Sequence, residues 1–160
     1  MIPIKQTRFG GSKDKPEEQG NCFQAALASI FEIPLEEAFD ATTPELTDET
    51  WFAAFKEWLR PRGLSCIFLD LRDVEPGVQA YWWCLDGIHL GEVDSVVHEG
   101  DGHMVVVQNG EVVHNPGRVQ GVGAKRGLYV LTMLNPAQGL DGRVAILEER
   151  MSELFLDGNR

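Results

Sequence analysis

Three residues of the chain, Cys22, His103 and Asn115, could together form a nucleophilic centre. Cys22 stands directly after a Gly-Asn turn, where an apolar helical pattern begins. The free N–H groups at a helix N-terminus, together with the positive end of the helix dipole, are expected to lower the pKa of such a thiol. A cysteine is an efficient nucleophile when an imidazole accepts its proton and a third group orients the imidazole. His103 opens a predicted strand and Asn115 follows the end of the next.

The strands that carry His103 and Asn115 are predicted to form a hairpin. They are joined by Asn109-Gly110, a typical two-residue turn because both residue types tolerate positive φ. Strict pairing across this turn places Val106 opposite Val113. His103 and Asn115 then point to opposite faces of the sheet, so their contact requires a bulge or a bend near the open end of the hairpin.

The elements that must position these residues are predicted from hydrophobic periodicity, caps and breakers. A first helix is expected over about residues 22–32, and a second starts at Thr47 or Asp48 and ends before Pro61. The expected strands are 64–71, 79–85, 103–108, 111–114 and 128–134, with a loop over 86–102 and a final helix over about 142–156. Helices followed by an antiparallel sheet indicate one α+β domain over residues 1–160.

Composition restricts the classes of partner. The 160 residues carry a formal net charge of −11, which repels nucleic acid and anionic membranes. The N-terminus lacks the apolar core of a signal peptide, so a cytoplasmic location is expected. The three cysteines form no C-x-x-C pair and match no metal-ligand spacing. No metal or cofactor is therefore expected, and Cys66 and Cys84 are predicted to be buried, inert strand residues.

The motifs around the three residues resemble those of papain-like cysteine peptidases. They are G-N-C-F-Q-A-A-L at the start of a helix, then G-H-M-V-V-V, and then V-V-H-N-P after the hairpin turn. The resemblance is greatest to the bacteriocin-processing C39-like branch, and it extends to small uncharacterised papain-like proteins of phages and bacteria. It implies a papain-like fold in which the helix that carries the cysteine packs on an antiparallel sheet. It also implies that Cys22 is the nucleophile, His103 the general base and then acid, and Asn115 the orienting group.

The chain departs from this family at the glutamine that completes the oxyanion hole. That residue normally lies a few positions before the cysteine, but Pro16 stands six positions before Cys22. Gln19 is closer than usual and Gln6 is farther away. Gln6 is preferred if residues 8–18 form an inserted, exposed loop. The residue after the cysteine is Phe23, where the C39-like branch commonly has glycine.

Three functions remain open at this stage. The first is a cysteine hydrolase that cleaves a peptide or isopeptide bond through a thioester intermediate. The second is an acyltransferase or glutamine deamidase that uses the same nucleophile. The third is a non-catalytic papain-fold binding protein, such as a phage-encoded inhibitor. In each case the expected partner is a protein or peptide.

Overall fold

A computed structural model describes residues 1–15, 17–47 and 49–134 of the chain. Its main elements are α1 (Cys22–Phe31), α2 (Trp51–Leu59), β1 (Leu64–Asp70), α3 (Pro76–Trp83), β2 (Ile88–Asp94), β3 (Gly102–Gln108), β4 (Glu111–His114) and β5 (Lys125–Met133). The helix predicted over about 142–156 lies outside the described residues. Among the described helices, none has both the length and the apolar content to cross a membrane.

The five strands form one antiparallel sheet in the order β1-β5-β2-β3-β4. One apolar cluster joins α1 and α2 to one face of the sheet, with the Phe23 and Phe55 rings in edge-to-face contact 5.0 Å apart. A second cluster lies around Trp83 and includes Val105 and Val107 of β3. The predicted α+β class with an antiparallel sheet is confirmed.

The first helix starts at Cys22, as predicted. Asn21, the residue before the helix, is of a type that often caps helices, but its side chain makes no capping hydrogen bond. Instead the Asn21 Oδ1 atom accepts hydrogen bonds from the backbone N–H groups of Thr7 and Arg8, both at 3.0 Å. Asn21 therefore holds the N-terminal segment against the start of the helix, which brings Gln6 near Cys22.

The predicted hairpin between β3 and β4 is confirmed. Asn109 and Gly110 both have positive φ, 51° and 88°, as a type I′ turn requires. Next to the turn Val107 pairs with Val112 as expected, but a shift in register follows at once. Val106 consequently pairs with His114, one residue later than strict pairing predicts.

The strand predicted over residues 79–85 is wrong, because these residues belong mainly to α3. Pro76 occupies the first turn of this helix, where its fixed φ suits the helix and its missing N–H costs nothing. Trp83 is buried against the sheet, whereas Cys84 is exposed. The expectation of a buried Cys84 is thus also wrong, while Cys66 is buried as predicted.

The loop predicted over residues 86–102 contains β2, which lies between β5 and β3 in the sheet. Because glycine is depleted in strands, the glycine content of this segment favoured a loop in the sequence analysis. A Cβ atom at Gly91 would lie only 2.6 Å from the Val107 side chain, too close for any other residue type without displacement. Glycine at this position lets the Trp83 ring lie directly over the strand.

Candidate active site

Cys22 lies where the N-terminus of α1 meets the exposed edge of β3. Its Sγ atom accepts a hydrogen bond from the Met104 backbone N–H at 3.4 Å. This N–H lies before the β3–β4 pairing begins at Val106, so β4 does not use it. The helix start and the end of the hairpin together therefore hold the thiol.

His103 and Asn115 are in direct contact, with 2.9 Å between the His103 Nε2 and Asn115 Oδ1 atoms. The bulge in the hairpin explains how this occurs. With Val106 opposite His114, the same register places position 115 opposite Val105, whose side chain shares a face with that of His103. The hairpin therefore contains the bulge that contact between His103 and Asn115 was expected to require.

The orientation of the Asn115 amide determines the tautomer of His103. The amide nitrogen donates to the carbonyl oxygens of Val119 and Gly121, at 3.3 and 3.0 Å. The amide oxygen accepts from the Gly117 N–H at 2.8 Å, so it must also act as the acceptor toward His103. Neutral His103 therefore carries its proton on Nε2, which leaves the lone pair on Nδ1.

A cavity of about 390 Å³ brings the predicted site residues together, since Cys22, His103, Asn115, Gln6 and Gln19 all line it. Its remaining walls come from residues 9–12, 95–98 and 117–119 and from a few neighbouring residues. Across the part of the chain that the structure describes, the Cys22 thiol and the His103 ring face the same cavity without a hydrogen bond between them. For a catalytic pair we expect the Cys22 Sγ atom to come within about 3–5 Å of a His103 ring nitrogen.

The two candidate oxyanion glutamines differ in their remaining hydrogen-bond capacity. The Gln19 amide nitrogen already donates to the carbonyl oxygens of Ser12 and Asp14, at 3.2 and 3.0 Å. The Gln6 amide nitrogen donates only to the Arg8 carbonyl, at 2.9 Å. Because an amide nitrogen carries two hydrogens, Gln6 has one left for a ligand. Gln6 is the better donor of the two.

The loop ahead of α1 is attached to the rim of the cavity. Residues 12–15 are exposed, as an inserted loop should be. Ser12, however, donates to Asp101 from its backbone N–H at 2.8 Å and from its hydroxyl at 2.5 Å. The His98 Nε2 atom bonds to the Phe9 carbonyl at 2.8 Å. These bonds fix the loop along the cavity and make it part of the wall.

The pKa of the Cys22 thiol differs from the value expected at a helix start. The backbone N–H groups of Met104, Phe23 and Cys22 itself lower the pKa of the Cys22 thiol, but burial outweighs them and raises it above its ordinary value. Burial also lowers the pKa of His103, against the hydrogen bond to Asn115. Without substrate, burial therefore favours the neutral forms of both the Cys22 thiol and the His103 imidazole, opposite to the lowered thiol pKa expected from the helix start.

This charge state predicts how Cys22 reacts with iodoacetamide. In a Cys84→Ser background, which removes the exposed thiol, alkylation of Cys22 should have its inflection above pH ~8.5, the value of a free cysteine. His103→Ala should leave that inflection in place, because the imidazole is uncharged at such a pH. The measurement is the pH dependence of the alkylation rate, followed by peptide mass spectrometry. An inflection near pH 6 would contradict the neutral pair.

Glu92 acts on the site through its charge, which the sequence did not reveal. It lies on β2 opposite Met104, and its charge raises the pKa of the Cys22 thiol further. Its carboxylate pairs with Arg126 at 3.3 Å and accepts from the Tyr129 hydroxyl at 3.4 Å. No local pattern marks Glu92, because β2 lies in the segment that resembles a loop.

Comparison of the chain with protein-family models, with curated proteins and with solved structures finds no match. Within residues 1–15, 17–47 and 49–134, no group of three or more His, Cys, Asp or Glu side chains is arranged to hold a metal ion. We therefore infer function from the geometry and chemistry of the site.

Proposed function

We propose that the protein is a papain-like cysteine hydrolase that cleaves a peptide or isopeptide bond through a thioester. One observation carries the proposal. The His103–Asn115 pair, at 2.9 Å and with its tautomer determined, lines the same cavity as a thiol at a helix start. An oriented imidazole with a free lone pair, in the same cavity as a nucleophile, provides the groups that acyl transfer requires.

In the first step, His103 Nδ1 takes the proton of the Cys22 thiol as Sγ attacks the substrate carbonyl carbon. The S–C bond forms, and the carbonyl π electrons move to the oxygen. The Cys22 backbone N–H and the remaining hydrogen of the Gln6 amide stabilise this oxyanion. General-base transfer at the moment of attack suits a thiol whose resting pKa is raised.

In the second step, the protonated His103 donates its Nδ1 proton to the leaving nitrogen as the C–N bond breaks, which leaves a thioester and a free amine. Asn115 holds the Nε2–H throughout and so prevents the ring from rotating. A water molecule then attacks the thioester with His103 as base. The products are a carboxylic acid and the regenerated thiol.

Gly117 tests the importance of the His103–Asn115 contact. A Cβ atom at this position would lie 3.0 Å from Asn115 Oδ1 and 3.2 Å from His103 Nε2. Gly117→Ala should therefore displace the pair and lower kcat by about tenfold or more, since small displacements of catalytic groups are costly. Gly77→Ala, where nothing lies within 4 Å of the added atom, is the control. Equal kcat values for the two variants would contradict the arrangement.

The decisive experiment is digestion of a proteome-derived peptide library with the purified protein. Mass spectrometry should reveal new peptide termini that Cys22→Ser does not produce. Hydrolysis adds one water to each substrate across the broken bond. A transferase would join the acyl fragment to an added amine, and a glutamine deamidase would raise the mass by about 1 Da without chain cleavage.

The raised pKa of the Cys22 thiol is the one observation that favours a non-catalytic binding protein, because such a chain needs no reactive thiol. The same library distinguishes the two functions. Absence of Cys22-dependent products, together with unchanged masses, would overturn the hydrolase. Binding of a peptide without its conversion would then favour the binding protein.

A further inference from the structure

The cavity that contains Cys22 has an unusual charge balance for this acidic chain. Among the described residues that line it, Arg118 is the only lysine or arginine and Asp101 the only carboxylate. The Asp101 carboxylate is engaged by Ser12 through two hydrogen bonds, at 2.8 and 2.5 Å. Ser12 thus occupies both oxygens of the Asp101 carboxylate, whereas Arg118 is the cationic donor in the lining.

Arg118 forms no ion pair with any residue in the described part of the chain. Arg8, in contrast, is paired with Asp40 at 2.5 Å. Because Arg118 also lines the cavity of the nucleophile, its guanidinium is available to a carboxylate supplied by a ligand.

The Arg118 guanidinium is already held in place. Its central carbon lies 3.5 Å from the centroid of the Phe9 ring, and Phe9 is fixed in turn because its carbonyl bonds to His98. Stacking on a ring face leaves the N–H edge of a guanidinium free, and that edge matches a carboxylate with two parallel hydrogen bonds. Little side-chain entropy remains to be lost on binding.

We infer that Arg118 is a specificity-determining residue that binds a substrate carboxylate next to the scissile bond. The carboxylate is either an Asp or Glu side chain or the free C-terminus of the peptide. The assignment of the ligand as a peptide rests on the proposed function. Val96, Val97 and Val119, which are exposed and line the same cavity, would contact the aliphatic parts of such a peptide.

Matched peptides test this inference. Each peptide cleaved in the library is synthesised with Asp or Asn near the scissile bond, and with a free or an amidated C-terminus. In one of the two comparisons, Asp against Asn or a free against an amidated C-terminus, the wild-type kcat/KM should be at least about tenfold higher for the carboxylate peptide. The comparison that shows this preference identifies which carboxylate Arg118 binds. The preference should weaken at high salt, because Arg118 is exposed.

Arg118→Gln should abolish the preference while cleavage of the amide peptides changes little. Arg118→Lys should restore it only in part, because lysine lacks the planar fork. Arg62 is a matched control, since it also stacks on an aromatic ring, Trp58, at 3.6 Å but does not line the cavity. Arg62→Gln should keep the preference. Equal loss on all peptides in Arg118→Gln would mean that Arg118 only supports Phe9, and would overturn the inference.

A binding measurement separates this inference from the proposed function. In Cys22→Ser, which should cleave at least about a thousandfold more slowly than the wild-type protein, calorimetry compares acetyl-Ala-Ala-Asp-Ala-amide, its Asn counterpart and acetyl-Ala-Ala-Ala with a free carboxyl group. At least one carboxylate peptide should bind about tenfold more tightly than the Asn peptide, and Arg118→Gln should remove the difference. Such binding, together with no cleavage of any library peptide by the wild-type protein, would overturn the hydrolase alone. Equal binding of all three peptides would overturn the role of Arg118.

Discussion

Replacement of Cys22 by serine should lower the rate of peptide cleavage by at least about a thousandfold, since removal of the nucleophile leaves only oxyanion stabilisation and binding. A hydroxyl is a far weaker nucleophile than a thiol, and His103 provides only a neutral imidazole to activate it. The measurement is kcat/KM on a peptide identified from the library. Serine keeps the size of the side chain nearly unchanged, so the fold should persist.

Cys84→Ser is the control for Cys22→Ser. Cys84 is exposed and does not line the cavity, so this variant should cleave at the wild-type rate. Circular dichroism and thermal unfolding of both variants should show that neither loses structure. Activity of Cys22→Ser within tenfold of the wild-type value would exclude a thioester mechanism.

Replacement of His103 by alanine should lower kcat by about 10²- to 10⁴-fold, because this change removes the general base and acid. The substitution leaves a space the size of an imidazole in the cavity wall. Added imidazole should therefore restore part of the activity. Absence of both the loss and the rescue would remove His103 from the mechanism.

The pH dependence gives an independent test of His103. Its neutral form is the base, and burial lowers its pKa below the ordinary value of 6.5. Wild-type activity should therefore persist at pH 6.5 and fall only as acidification protonates the imidazole. This acid limb should disappear in His103→Ala. An acid limb centred above pH 6.5 would contradict the lowered pKa.

Local sequence was sufficient for several elements. The start of α1 at Cys22 was predictable from the Gly-Asn turn before an Ala-rich apolar run. The turn at Asn109-Gly110 was predictable because these two residue types tolerate positive φ at low cost. In both cases the decisive interactions lie within a few residues along the chain.

Elements that depend on distant partners were predicted less well. The aromatic run in α3 is compatible with a strand or a helix, and only burial of Trp83 against the sheet selects the helix. β2 is recognisable only from its neighbours, because Gly91 is required there by the Trp83 and Val107 side chains that lie over it. Periodicity carries no information about contacts of this kind.

For the candidate site, the sequence by itself determined which residue types were available, namely a thiol at a helix start and an imidazole and an amide at the two ends of a hairpin. Tertiary structure decided their arrangement. The bulge beside Val106 turned Asn115 toward His103, and the loop that engages Gln19 left Gln6 as the free donor. Burial made both Cys22 and His103 neutral. Register, hydrogen-bond competition and desolvation depend on groups far apart in the chain, so no local pattern could have determined them.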